Sequence, residues 1–583
     1  MRIETATLRR WLLSAFAVLA LFYNLGGRGL NEPDEGRFAE IGREMAASGN
    51  WLTPRLNGVP HLSKPPLTYW LIGLSIKGLG ATEFAARLPA ALAALGTLLG
   101  LYLLARSALG EETGLLAALV LLSSPLFFVI ARLITTDMLL TCFVTWSVCS
   151  LWRWYDSPDR AWLKLRWFYI FLGLGMMTKG PVAVVLPMMA LAGLRWKNPD
   201  LHLRKMQWAR GALIVLVITA PWFIAVAGTN VEVWKYLLGR EMVGRVLSSV
   251  HRREEAWWYF LPVIAGGMLF WLPWLMVSPV VLRGAAPRQQ SMIRLCLAWA
   301  GLGLILFTIS RSKLATYALP LLPPLAVLAA ATLAGFARNM ADRREVGWGL
   351  VAGAASLVLL VGLVVALTVA GTRKFQMEVW AWLGDWVLVL SVVLASGGLL
   401  IGRKLLPAST VLGVGVIGLF MMLSAKFPAI EYALQNSAPM KHLARRVRTE
   451  DPGGQATVIA YQNLPPGLVF YLGRPVLWFQ EAVAGRSGRT QGVFEYRSPQ
   501  TELPTVLTDT AQVAALLTGS ERVFCVVRTR EAAALAERFS LSELTRQGRY
   551  ALLSNRDSSP LDLPLLRGQA AGAKHKPLPT ASP

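Results

Sequence analysis

The chain has 583 residues, 54% of them hydrophobic and 16% charged, with a formal net charge of +24 and a mean hydropathy of +0.47. That much apolar surface excludes an ordinary soluble domain, and repeated apolar runs of roughly 17–25 residues assign it to lipid. The basic excess would suggest nucleic acid in a soluble protein. Here many Lys and Arg sit in short segments between apolar runs, so membrane lipid is the expected partner and nucleic acid is not.

The first span, about Trp11 to Leu25, follows Arg2, Arg9 and Arg10 and shows no small-residue cleavage site before Asn31. It reads as a retained signal anchor with its N-terminus in the cytoplasm. The loop that follows, residues 27–83, carries Asn31-Glu-Pro-Asp-Glu-Gly-Arg37, then Trp51-Leu-Thr-Pro-Arg55, then His61-Leu-Ser-Lys-Pro-Pro66. A short connection between spans needs only turn residues, so three carboxylates, two arginines and a lysine held among prolines mark a candidate site. Asp34 is a suitable N-cap, and Phe38, Ile41 and Met45 recur at helical spacing until Ser48-Gly49-Asn50, which predicts a short amphipathic helix. Its Arg37, one turn in, is placed to pair with Asp34 or to turn toward a phosphate. Lys64 precedes two prolines and is held extended. The apolar stretch 66–79, with Tyr69 and Trp70 near its start, is too short for a comfortable span and is predicted to lie at the interface. The alternative reading makes these charges ordinary interfacial anchors and caps.

Further spans are predicted near 84–104, 113–130, 134–152, 167–178, 181–194, 211–228, 257–281, 295–310, 314–336, 347–371, 379–401 and 411–424, about thirteen in all. Under this count the loops carrying Arg153 to Arg166, Arg195 to Arg210, Arg283 to Arg294, Arg338 to Arg344, and Arg403 with Lys404 are basic and face the cytoplasm. The loops 27–83 and 229–256 are long, mixed in sign and face outward. Asp137, at the start of a span on the outer side, is an intramembrane acid, and so either a site residue or a helix cap after Thr135 and Thr136. Of the four cysteines, Cys142, Cys149 and Cys296 lie in apolar runs, and with Cys525 they form no CxxC. They read as core residues, with neither a disulfide framework nor a metal cluster.

Residues 425–556 change character. Short β-branched and aromatic runs at 457–461, 467–471, 475–479 and 522–527 read as strands, and 437–448 and 531–540 show helical spacing. This predicts a small α/β domain outside the cytoplasm, following a membrane domain of residues 1–424. The tail 557–583, rich in Pro, Ala, Gly and Lys, reads as disordered.

The run from Asn31-Glu-Pro-Asp-Glu-Gly-Arg-Phe-Ala-Glu40 to Lys64-Pro-Pro-Leu-Thr-Tyr-Trp70 resembles the first periplasmic loop of the bacterial polyprenyl-phosphate-sugar glycosyltransferases. Their best-known members are the 4-amino-4-deoxy-L-arabinose lipid A transferases, distant relatives of the protein O-mannosyltransferases. The similarity continues through Arg132-Leu-Ile-Thr-Thr-Asp137, Thr178-Lys-Gly-Pro181, the stretch 251–259, Ser310-Arg-Ser-Lys-Leu-Ala-Thr-Tyr-Ala-Leu-Pro320 and Phe470-Tyr-Leu-Gly-Arg474. The resemblance implies a GT-C fold in the bacterial inner membrane, with interfacial helices in the first loop and a small periplasmic domain over a cavity at the outer leaflet. It implies a sugar donor on undecaprenyl phosphate and an envelope acceptor of the lipid A type.

A phosphodiester donor leaves as a phosphate monoester, so the chemistry calls for cationic and hydrogen-bonding groups more than for a proton on the leaving group. By resemblance, Arg37, Lys64 and Tyr317 hold the lipid phosphate, with Arg311 and Lys313 adding positive charge. Asp34 matches the carboxylate at the reaction centre, with Asp137 a second candidate for the same cavity. A hydroxyl acceptor would need Asp34 as general base; an anionic phosphate acceptor would not. The chain departs from the lipid A branch at His61-Leu62-Ser63, where an aromatic pair and a glutamate are usual. That weakens a divalent-metal site, for which His61 and His251 remain the only candidate ligands. A protein O-mannosyltransferase-like enzyme acting on Ser or Thr is the alternative within the enzyme class. A lipid or solute transporter is the alternative outside it, though one would show inverted repeats and charge near the bilayer midplane.

Overall fold

The computed structural model describes residues 2–157, 162–196, 198, 201, 203–229, 255–338, 343–375, 383–434, 439–479, 505–507 and 509–557. The chain divides into two units. The first comprises Met1–Lys441 with Pro465–Pro475 and Val483–Thr505; the second comprises His442–Leu464, Val476–Ala482 and Val506–Pro583.

The first unit is a helical bundle: α1 (Arg2–Phe22), α2 (Asp34–Ser48), α3 (Leu67–Leu79), α4 (Glu83–Leu109), α5 (Glu111–Leu122), α6 (Pro125–Ile130), α7 (Thr136–Tyr155), α8 (Trp162–Lys179), α9 (Val182–Arg195), α10 (Trp208–Thr229), α11 (Phe260–Gly267), α12 (Leu272–Val281), α13 (Pro287–Ile309), α14 (Leu322–Arg338), α15 (Arg343–Phe375), α16 (Leu383–Ile401) and α17 (Leu405–Leu434). Each of the thirteen apolar runs expected from the sequence falls, among the described residues, mainly on helix. Among the described residues seven helices are long and apolar enough to cross a membrane alone, and an eighth span results if the pair Phe260–Gly267 and Leu269–Val280, bent by 83°, is taken as one. Of the remaining runs, α7 is buried along most of its length.

Two features identify lipid as the solvent. Leu213, Val217 and Ile224 on α10, and Val358 and Leu394 on α15 and α16, stand more than half exposed, which water would penalise. Inside, small residues bring helix backbones together: Trp146 donates its indole N–H to the Gly96 carbonyl at 2.9 Å, and a Cβ on Gly114 would meet the Tyr102 carbonyl at 2.9 Å. Bulky Trp152, Trp154, Trp271, Trp274 and Trp299 fill the remaining core.

The first loop folds as predicted around its apolar spacing. Phe38, Ile41 and Met45 are buried, and α2 stops where Gly49 turns left-handed at φ 71°. Asp34, expected as the N-cap, is instead the first helical residue: Pro33 occupies the cap position and the Asp34 carboxylate turns to Arg37, an i,i+3 pair that also sets an acid at the positive end of the helix. Phe38 stacks on Tyr69 of α3 at 5.5 Å. Between the helices β1 (Arg55–Leu56) and β2 (Val59–Pro60) form a hairpin. Its Asn57-Gly58 turn has φ 56° and 80°, as a two-residue turn requires.

The second unit contains a six-stranded sheet ordered β5-β4-β3-β6-β8-β7, from β3 (Thr457–Tyr461), β4 (Leu477–Phe479), β5 (Val506–Leu507), β6 (Val523–Arg528), β7 (Ser542–Gln547) and β8 (Tyr550–Ser554). The first four strands are parallel and the β8–β7 edge is antiparallel. Ile459, Phe479, Cys525 and Leu553 build its core with Val513, Leu517 and Leu535 of α20 (Thr510–Thr518) and α21 (Thr529–Phe539); α18 (Pro439–Glu450) precedes the sheet. All four cysteines are free and buried. The stretch 467–471, expected as a strand, is the helix α19 (Pro466–Leu472), which belongs to the first unit. Because β3 and β4 are parallel, their connection must be a crossover rather than a hairpin; Pro466 at the first helical position and Gly473 at φ 73° delimit it. Most of the predicted tail lies outside the described residues.

Candidate active site

The site is built on a buried carboxylate that the sequence did not single out. Glu35 accepts from Arg87 at 2.9 and 3.0 Å, from Arg28 at 2.8 Å, and from the backbone amides of Asn31 and Ile134, each at 3.1 Å. Arg87, fully buried on α4, also donates to the carbonyls of Leu25, Arg28 and Gly29. Burial alone would raise the Glu35 pKa, but the guanidinium groups of Arg87 and Arg28 overcome it and hold the carboxyl at about 2. One ionised side chain thereby fixes the end of the first helix, the start of α2 and the start of α7. A buried arginine of α7's lead-in completes the junction: Arg132 donates to the carbonyls of Ala20, Leu21 and Tyr23 and to Ser424 Oγ, capping the C-terminus of α1.

This anchor positions two groups of candidate residues. Asp34, adjacent to Glu35, is exposed and pairs with Arg37, whose guanidinium lies 5.5 Å from the centre of the Phe38 ring. Three residues beyond Ile134, Asp137 is buried at the start of α7 and ion-paired with Lys179, the last residue of α8. The N-cap of α7 is Thr135, with no side-chain cap bond. The Lys179 ammonium lies 4.0 Å from the centre of the Tyr317 ring, and Tyr317 sits in a 3-10 turn, Ala315–Leu321. Asp137 and Tyr317 are thus brought together through Lys179, for which the sequence offered the signal of a lone lysine between two apolar runs.

The third arm is the segment holding Lys64, whose ammonium donates to the Ser63 carbonyl at 2.9 Å. Leu62 packs with Met177, Trp222 and Val226, which brings this segment beside the end of α8, two residues before Lys179. Trp70 and Trp222 donate to the carbonyls of Trp51 and Leu52 at 2.7 and 2.9 Å and lock the loop down. Lys313 is buried and donates to the Glu255 carbonyl at 3.1 Å, while Arg311 is exposed. His61 is buried with Nε2 2.7 Å from Ser63 Oγ, and His251 lies outside the described residues. Among the described residues no three His, Cys, Asp or Glu side chains converge as a metal site.

A lipid-facing helical bundle with acids and cations gathered where the first loop meets α7 and α8 defines a multi-pass membrane protein, and solved structures share it. ArnT from Cupriavidus metallidurans in the apo state superposes with a TM-score of 0.78 at 25% identity over 95% of this chain and 98% of that one. The same protein bound to undecaprenyl phosphate gives 0.77. The fold is GT-C. The family described as dolichyl-phosphate-mannose-protein mannosyltransferase matches residues 63–224, a range that holds Lys64, Asp137 and Lys179. The undecaprenyl phosphate-alpha-4-amino-4-deoxy-L-arabinose arabinosyl transferase 1 of Sodalis glossinidius is 31% identical over 394 residues, 66% of this chain and 69% of the relative. That of Pseudomonas fluorescens is 32% identical over 366 residues, 60% of this chain. The chain belongs to this arabinosyl transferase family. It spans 66% of the length of that Pseudomonas fluorescens relative and 59% of the one from Edwardsiella ictaluri.

Proposed function

We propose that this chain transfers a sugar of the 4-amino-4-deoxy-L-arabinose type from undecaprenyl phosphate to lipid A, at the periplasmic face of the bacterial inner membrane. The observation that carries the reading is the pairing of an exposed carboxylate, Asp34, with Arg37 on a helix start held rigid by Glu35 and Arg87. Support comes from family membership and from the similar ArnT fold that binds undecaprenyl phosphate.

In this reading Arg37 and Lys64 take the donor phosphate and stabilise the charge that grows on it as the glycosidic carbon–oxygen bond breaks. The leaving group departs as undecaprenyl phosphate, and an acceptor oxygen bonds to the sugar carbon. Lys179, neutralised by Asp137, orders the Tyr317 ring, and Arg311 and Lys313 raise the local positive potential. Asp34 orients Arg37 when the acceptor is an anionic phosphate, and takes a proton when it is a hydroxyl.

Mass spectrometry of lipid A from a deletion strain and its complemented parent tests the assignment. Loss of the aminosugar-bearing species on deletion is expected; unchanged lipid A with a change in protein glycosylation would replace it with the hydroxyl-acceptor reading. Orientation follows from the basic loops, and reporter fusions at Lys205 and Gly454 should give opposite signals.

A further inference from the structure

Two residues before Asp34, the Glu32 carboxyl group occupies an enclosed notch. Its Oε1 accepts the Gly467 amide at 2.6 Å, and its Oε2 is buried with no hydrogen-bond partner among the described residues. The notch exists because two glycines meet: a Cβ on Gly36 would stand 2.6 Å from the Gly467 nitrogen and 2.8 Å from Glu32 Oε1. Any larger residue at Gly36 would displace either α19 or the carboxyl group.

Asp34, Glu35 and Arg37 are the charged groups around it. Glu35 is engaged by Arg28 and Arg87. The helix α19 brings no charged side chain; its Tyr471 hydroxyl accepts from the Leu30 amide and donates to Glu83, which also pairs with Lys441. A carboxylate with one oxygen shut away from every donor is strongly disfavoured, whereas a carboxylic acid loses far less there. Burial, opposed by the Gly467 hydrogen bond and by Arg37, raises the Glu32 pKa to about 8, so titration agrees with the geometry.

Building on the donor-phosphate role given to Arg37 above, we propose that Glu32 is a positioning residue. It is a neutral carboxylic-acid latch that fastens the start of α2 to α19 and does not compete with Asp34 and the lipid phosphate for the Arg37 guanidinium. Loss of its proton would set a second carboxylate beside Asp34 and make it a competitor for Arg37.

Binding of undecaprenyl phosphate by the full chain in nanodiscs tests the latch. Wild type should bind about tenfold more weakly at pH 9 than at pH 7, as expected when a group titrating near 8 must keep its proton. Glu32→Gln keeps the acceptor oxygen and cannot ionise, so it should hold its pH 7 affinity at pH 9 once the ionisation of the lipid phosphate, common to both proteins, is divided out. An equal alkaline loss in Glu32→Gln overturns the latch.

Melting temperature supplies a readout independent of the lipid. The folded-state pKa lies above the unfolded value of 4.5, so the stabilisation is complete below pH 4.5 and drains away as pH rises toward 8. Wild type should therefore lose melting temperature relative to Glu32→Gln between pH 5 and pH 8, with no further divergence above. Parallel curves overturn the latch. Wild type that binds no undecaprenyl phosphate at pH 7 overturns the donor reading instead, while the melting comparison still judges Glu32.

Discussion

Lys179 and Tyr317 are joined face-on, the lysine ammonium 4.0 Å from the ring centre, while the same ammonium is ion-paired with the buried Asp137. An intramembrane acid is expensive unless paired, and here its charge is balanced by a residue at the end of the neighbouring helix. The ring contact adds an attraction on the order of 0.5–2 kcal/mol and ties the turn holding Tyr317 to both.

Removing one partner should be worse than removing both. Lys179→Met leaves the Asp137 carboxylate buried and unpaired, at a cost of about 3–5 kcal/mol, whereas Asp137→Asn with Lys179→Met should recover most of that loss. Thermal unfolding in detergent of the two single variants and the double variant measures the coupling. Strictly additive losses would show that the pair contributes nothing.

The Glu35 clamp makes a prediction in acid. Its folded-state pKa of about 2 lies below the ordinary 4.5, so the stabilisation is fully present above pH 4.5 and disappears as pH falls toward 2. Glu35→Gln should be destabilised at pH 7 through the buried Arg87 left unpaired, and its melting temperature should vary less between pH 5 and pH 3 than that of wild type. Identical acid profiles for the two proteins would contradict the clamp.

Arg37→Ala and Lys64→Ala should each weaken undecaprenyl phosphate binding by at least about tenfold, the loss of one charge-assisted contact worth roughly 1.5–3 kcal/mol. Membrane insertion and expression should be unchanged, because Asp34, which pairs with Arg37, is exposed and the Lys64 ammonium donates to a carbonyl of its own loop. Calorimetry or lipid-dependent thermal stabilisation reads the effect. Wild-type affinity in both variants would remove them from the phosphate site.

The parts of this arrangement written in local spacing were legible in the sequence. Phe38, Ile41 and Met45 announce α2, Gly49 ends it, and the cations of the first loop stand out because a short connection has no need of them. Glu35 was hidden because its importance comes from partners far along the chain, Arg87 and the Ile134 amide, which no local pattern reveals. Lys179 stands between two apolar runs without a local pattern to mark it, and only the packing of α7 against α8 pairs it with Asp137. The stretch 467–471 was misread because five apolar residues fit strand or helix equally, and the parallel register of β3 and β4 decides between them. The Asn57-Gly58 turn carried a usable hairpin signal that the surrounding prolines obscured.

Asp34 separates the two acceptor chemistries. Its carboxylate is exposed and its only described ion pair is with Arg37, so Asp34→Asn changes charge with little effect on packing. A hydroxyl acceptor needs a base, and the variant should then lose on the order of a hundred-fold or more in turnover, with the acidic limb of its pH–rate profile gone. A phosphate acceptor is already anionic near neutral pH. The variant's loss would then come from a displaced Arg37, would be milder, and would leave the shape of the profile as in wild type. The lipid A assignment therefore predicts the second outcome for turnover measured against pH with purified undecaprenyl phosphate-linked aminosugar and lipid A. A vanished acidic limb would move the acceptor to a hydroxyl, and full activity in Asp34→Asn would take this carboxylate out of the reaction altogether.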